Sequence, residues 1–179
     1  DGLAGNVVRT LHEDRQGRIW IGTRNGGASC FHQSRFQTFT PSEGLLSGLV
    51  NAIVEDAWGD IWFGTAKGLN RLSDNEMTSI TPEHGLASTF VRCLYEDRQK
   101  NLWVGTRVGV SKLRQGQFLS FSASDELRHD RFNDIAEDDE GNLWLATEAG
   151  LCKFDGANVT RFTTDHGFVS ARCQAILNE

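Results

Sequence analysis

Arg9, Asn51, Arg92 and Asn133 stand 42, 41 and 41 residues apart, each four residues before a Glu-Asp pair. Brought together, guanidinium and carboxamide groups of this kind hold small polar ligands. Their plainer role is to solvate a channel and to pair with the repeated Glu13, Glu55, Glu96 and Glu137. Other polar positions differ from copy to copy: Arg24 and Asn25, Lys67, Arg107 and Glu148 after one recurrent Thr, and Glu43, His84, Asp125 and His166 farther on. Trp58 stands alone in a turn where other copies have Gln16, Gln99 and Glu140. An aromatic in such a turn is expected at the surface, and exposed aromatics mark contact surfaces.

Catalytic chemistry finds little support. His12, His32, His84, His129 and His166 have no metal-ligand spacing, and only His84 and His166 occupy corresponding positions. A Ser-His-Asp set would need arbitrary choices among many Ser and Asp residues. Asp138-Asp139-Glu140-Gly141-Asn142 lacks the alternation and distal Glu of a calcium loop, and it is already explained as a repeated turn. The expectation is therefore no enzyme activity, no metal and no cofactor. Cys30, Cys93, Cys152 and Cys173 fall at four different repeat positions, which suits small buried hydrophobes better than a disulfide ladder; a single Cys93–Cys173 bridge stays open.

The frame that positions these residues is a repeat. Trp20, Trp62, Trp103 and Trp144 each close one phrase, such as Glu55-Asp56-Ala57-Trp58-Gly59-Asp60-Ile61-Trp62-Phe63-Gly64-Thr65. A fixed period near 41 residues means stacked supersecondary units that cannot bury their apolar faces alone. Within a unit the alternation predicts four strands, over 50–56, 60–65, 68–72 and 77–81 in the second copy. Asp at the first turn position and Gly at the fourth supply a side-chain cap and a positive φ. Lys100 replaces that Gly in the third copy, so this turn is expected to be strained. No segment has a helical period. Four antiparallel strands per unit describe propeller blades. With the first strand innermost, the four strand-opening residues converge near one mouth of the channel, on the same face as the copy-variable loops.

A leader, Gly-Leu-x-x-x-x-Val, begins at Gly2, Gly44 and Gly85, decays to Glu126-Leu127, and returns as Gly167-Phe168. The chain therefore reads as one all-β propeller fragment over 1–179. Its units are about 2–43, 44–84, 85–125 and 126–166, followed by 167–179, which carries the first strand of a fifth blade. Nineteen Gly against two Pro suits a turn-rich β protein. A net charge of −6 argues against nucleic acid, and no stretch of 18 apolar residues offers a membrane span. Asp1–Asn6 has no signal-peptide pattern.

The phrase Gly-Leu-x-x-x-x-Val-x-x-Ile-x-Glu-Asp-x-x-Gly-x-Leu-Trp-Ile-Gly-Thr-x-x-Gly-Leu resembles the two-component regulator propeller repeat, over the whole chain. The WD40 repeat has a similar period, but its Gly-His leader and Trp-Asp terminus are missing. The resemblance implies the periplasmic sensor region of bacterial membrane-bound regulators, usually hybrid histidine kinases and sometimes diguanylate cyclases. These carry two seven-bladed propellers, an immunoglobulin-like domain, a membrane span and output domains. In gut Bacteroidetes members the ligands are oligosaccharides. Four free thiols would be unusual in the periplasm. The expected function is non-enzymatic sensing or binding of an oligosaccharide or other small polar ligand through Arg9, Asn51, Arg92, Asn133, Arg24, Lys67, Arg107 and Trp58. The alternative is a structural or protein-interaction module without a ligand. Blades shaped for larger rings would leave an open arc of four, which a twofold dimer would close into eight, with the terminal strand at the junction.

Overall fold

The computed structural model describes residues 2–121, 131–170 and 172–177. Glu126-Leu127, Asp125, His129 and the last two residues of the fifth unit lie outside these. Blade one is β1 (Val8–Glu13), β2 (Ile19–Thr23), β3 (Ala28–His32) and β4 (Arg35–Phe39). Blade two is β5 (Val50–Glu55), β6 (Ile61–Thr65), β7 (Gly68–Ser73) and β8 (Glu76–Ile80). Blade three is β9 (Val91–Glu96), β10 (Leu102–Thr106), β11 (Val110–Arg114) and β12 (Gln117–Ser120). Blade four is β13 (Phe132–Glu137), β14 (Leu143–Thr147), β15 (Gly150–Phe154) and β16 (Val159–Phe162). Each blade is an antiparallel meander in sequence order. The opening strands β1, β5, β9 and β13 are neighbours from blade to blade, which makes them the inner strands.

The repeated Asp-to-Trp phrase forms a clamp. Asp56 Oδ1 accepts the N–H groups of Trp58 and Asp60, and its Oδ2 accepts Trp62 Nε1 at 2.8 Å. Asp14, Asp97 and Asp138 hold Trp20, Trp103 and Trp144 in the same way. A buried indole N–H needs such a partner. The turns close with positive φ at Gly17, Gly59 and Gly141, and at Lys100 with φ 66°, the strained left-handed turn expected there. A cation covers each indole. Arg71, Lys112 and Lys153 do so from the third strand of blades two to four. In blade one Cys30 takes that position and Arg18 of the turn covers Trp20 instead.

Blades join through two repeated devices. Gly22, Gly64 and Gly105 let the next blade's opening residue approach; a Cβ on Gly64 would lie 2.6 Å from Val91 Cγ1. From blade two onward the repeated Glu reaches back to the preceding turn: Glu55 accepts from Arg15 N, Glu96 from Ala57 N and Glu137 from Arg98 N. The glutamates therefore staple the blades. In no described blade do they pair with the strand-opening residues, which lie at the other end of the same strands.

The structure makes one addition to the strand reading and one correction. Short 3₁₀ turns occupy Pro41–Glu43, Pro82–His84 and Thr164–His166, each opened by a Thr capping box and closed by a Gly with positive φ. A Thr-x-x-x-Gly spelling is common to all three, with Pro after the Thr in the first two, and one turn is too short to show a helical period. The segment 172–177 forms no strand. It lies along blade four, with Cys173 N donating to Thr147 O and Ile176 N to Asp134 Oδ2. Among the described residues it is paired with no second strand in a ladder.

Candidate functional site

Every opening strand carries an irregularity at one position. In β5, Val50 pairs with Thr65 and Ala52 with Gly64, so Asn51 is skipped; Arg9, Arg92 and Asn133 are skipped in β1, β9 and β13. A β-bulge inserts an unpaired residue and re-aims its side chain. It also reverses the alternation, and so Val50 and Ile53, three residues apart, are both buried. The bulges release one side chain per blade toward the inner end of the propeller. There Arg9, Asn51, Arg92 and Asn133 line a single cavity of about 620 Å³.

Arg24 and Arg107, from the loops joining second and third strands, line the same cavity, as do Leu49 and Phe90, which precede their opening strands. Arg107 stacks on Phe90 with its Cζ 3.8 Å from the ring centre. Lys67 is exposed on its loop and does not line the cavity. Trp58 is 73% exposed and lies elsewhere, beside a smaller groove between blades two and three with Leu102 and Leu113. Arg172 and Gln174 complete the cavity wall and were not anticipated. The signal was present: Gln174 is the fifth copy of the bulge position when the repeat register is carried to the end of the chain.

The amides are partly committed to structure. Asn51 Nδ2 donates to Val91 O at 2.8 Å and Asn133 Nδ2 to Cys173 O at 2.7 Å, bridging to the next unit. Arg92 donates to Asn133 Oδ1 at 2.5 Å and lies 3.9 Å from Glu148, which also pairs with Arg172 at 2.9 Å. Burial pulls the Arg92 guanidinium below its ordinary value; Glu148 opposes this, while Arg107 and Arg131 reinforce it. Arg9 and Arg24 form no ion pair with a described residue.

The histidines have other duties. His12 Nε2 accepts the N–H of Glu55 from the neighbouring blade, and His84 and His166 cap 3₁₀ turns through Nδ1. Cys30, Cys93, Cys152 and Cys173 are free thiols and the first three are buried, so the Cys93–Cys173 bridge does not form. Among the described residues no group of three or more His, Cys, Asp or Glu is arranged to hold a metal ion.

The two component regulator propeller profile matches residues 2–25, 44–67, 85–107 and 126–149, more than half of the sequence. The chain belongs to that family. Each match runs from the leader through the bulge and the Asp–Trp clamp into the loop after the second strand, so the cavity residues of all four blades lie within it. No curated protein matches this regulator propeller. Among solved structures it is similar to the extracellular domain assigned to the hybrid two component system BT3049 of B. thetaiotaomicron, with a TM-score of 0.83 and 21% identity over 96% of this chain and 25% of that one. The corresponding domain assigned to BT4673 gives 0.74 and 20% over 96% and 24%. An inactive virginiamycin B lyase from Staphylococcus aureus gives 0.72 and 15% over 94% and 58%. At these identities the likeness shows the fold alone. The chain spans about a quarter of the length of the extracellular domains it resembles.

Proposed function

We propose that this propeller is a non-enzymatic sensing module of a bacterial two-component regulator, exposed to the periplasm, which captures a small polar ligand such as an oligosaccharide at the bulge-lined cavity. One observation carries the reading. The same bulge recurs in all four blades and delivers Arg9, Asn51, Arg92 and Asn133 to one cavity. A ladder irregularity that disrupts pairing four times, always at the residue lining a common cavity, is what a ligand site requires. Family membership and the likeness to extracellular domains support the setting. Among the described residues no helix is long and apolar enough to cross a membrane. His12, His84 and His166 are held in structural hydrogen bonds away from the cavity, which supports binding over catalysis. Stiff blades would pass the signal on as a rigid-body shift of neighbouring domains. Thermal-shift and calorimetric titration against an oligosaccharide panel tests the reading. Binding weakened by Asn51→Ala and Arg9→Ala supports it; binding indifferent to every cavity variant overturns it.

A second reading rests on the ends of the arc. Leu11 is 65% exposed, whereas Ile53 and Ile135 at the same repeat position are 7% and 4% exposed. Val8 is 44% exposed where Val50, Val91 and Phe132 are sealed. At the other end Trp144 is only half-buried. Apolar blade faces left open in this way favour self-association into a larger ring, with a second copy seated on β1. Light scattering at micromolar concentration tests this: a dimer that Leu11→Asp converts to monomer supports it, and a stable wild-type monomer overturns it.

A further inference from the structure

The charge of the cavity narrows what it can hold. Arg9, Arg24, Arg92, Arg107 and Arg172 all line it, in a chain whose net charge is −6. They come from three separate units, so no single loop accounts for the cluster. Among the described residues one carboxylate, Glu148, answers them, and it is shared by Arg92 and Arg172. Among the described residues Arg9, Arg24 and Arg107 make no ion pair. Arg107 is held flat on Phe90, which fixes the guanidinium plane and leaves its N–H edges for an acceptor. Arg92 Nε is buried without a hydrogen-bond partner in the described structure. A buried donor left open costs free energy until an acceptor arrives.

We propose that the ligand is an anion, a small molecule whose carboxylate, sulfate or phosphate groups are gripped by Arg9, Arg92 and Arg107 while Asn51 and Asn133 read neighbouring hydroxyls. This rests on the cavity being the binding site. The geometry favours charge over a neutral sugar because like charges gathered in a partly enclosed space repel one another. A neutral guest leaves that repulsion in place, whereas an anion relieves it and accepts from forked guanidinium donors. The acidic groups could stand on a sugar or on an inorganic oxyanion, and the two are separable.

The test is titration of the intact chain, followed by the arginine Nε–Hε NMR signals, with four probes: inorganic sulfate, inorganic phosphate, trigalacturonate and its fully methyl-esterified neutral counterpart. Sulfate, phosphate and trigalacturonate are expected to move the Arg92 and Arg107 signals, with affinity falling as salt rises from about 0.05 M to about 0.5 M. Trigalacturonate binding more tightly than sulfate or phosphate would place the acid on a sugar; equal binding would make the oxyanion itself sufficient. The Arg9→Gln/Arg107→Gln variant removes two cations that have no ion-pair partner among the described residues, and its melting curve checks that it folds. It should lose about tenfold or more in affinity for each anion. If the neutral ester binds as well as the acid and Asn51→Ala weakens it, the anion assignment falls and the cavity stands. Anions that move none of the cavity arginine signals also overturn the assignment. If anions bind but neither the Arg nor the Asn variants matter, the binding lies elsewhere and the cavity reading falls as well.

Discussion

Each repeated residue has one dominant partner, and this makes its worth measurable. Trp103 is sealed, bonded to Asp97 and packed on Phe121 and Phe154, so Trp103→Ala should cost about 3–5 kcal/mol in urea denaturation. Trp58→Ala, at an exposed position, should cost under about 1 kcal/mol; equal losses would return Trp58 to the core. Lys100 holds a left-handed backbone that glycine adopts freely, and its contact with Glu96 is a surface ion pair. Lys100→Gly should therefore raise stability by roughly 0.5–1 kcal/mol. A loss on the same titration would show that the turn is not strained. Asp138 shows how the clamp acts on charge. Partial desolvation raises its carboxyl, but the donors Asn142, Trp144 and Glu140 outweigh this and hold it at about 2.

Between elements, the joints are glycine contacts and glutamate staples, with His12 as an additional bond between blades one and two. Gly64→Ala would force a Cβ against Val91 and should destabilise by about 1–3 kcal/mol, measured by thermal unfolding. Copy four already carries Ala146 at this position, where the following segment is not a strand. His12 adds a pH dependence. Burial lowers its pKa below the ordinary 6.5, with Glu55 and Asp14 opposing. The folded state thus binds fewer protons than the unfolded chain. The stability His12 contributes is present above pH 6.5 and is lost as pH falls through the lowered folded value. Protonation also removes the acceptor of the Glu55 N–H. His12→Gln keeps an acceptor without a titrating proton, so its denaturation midpoint should fall less than wild type between pH 6.5 and the onset of carboxylate protonation. Parallel pH curves would discharge His12 from this role.

For the whole molecule, the decisive contrast is between the cavity and the ends of the arc. Arg9→Ala should leave the melting temperature within about 1–2 °C of wild type, because the residue is exposed and forms no ion pair with a described residue. Arg92→Ala should lower it measurably, because Arg92 also links blade three to Asn133 and Glu148. Hydrogen exchange should be slowest in β6 and β10, which have blades on both sides, and faster in β1 and β14 at the open faces. Uniform protection across all blades would mean that the end faces are covered in solution.

The repeat, the strands, the Asp-capped turns, the strained Lys100 and the surface placement of Trp58 were all legible in the sequence. Each depends on local periodicity or on turn chemistry within a few residues. The variable loop face could be assigned by counting strands. What the amino acids alone left open were the bulge at every strand opening, the use of Glu55, Glu96 and Glu137 as staples rather than arginine partners, and the convergence of five arginines on one cavity. A bulge is defined by what the paired strand does, and a staple by a turn about 40 residues away. Arg172 and Gln174 reach the cavity only because the arc curves the last segment around the inner strands. The fifth unit keeps the spelling of a strand, but a strand exists only as half of a ladder, and among the described residues 172–177 has no ladder partner.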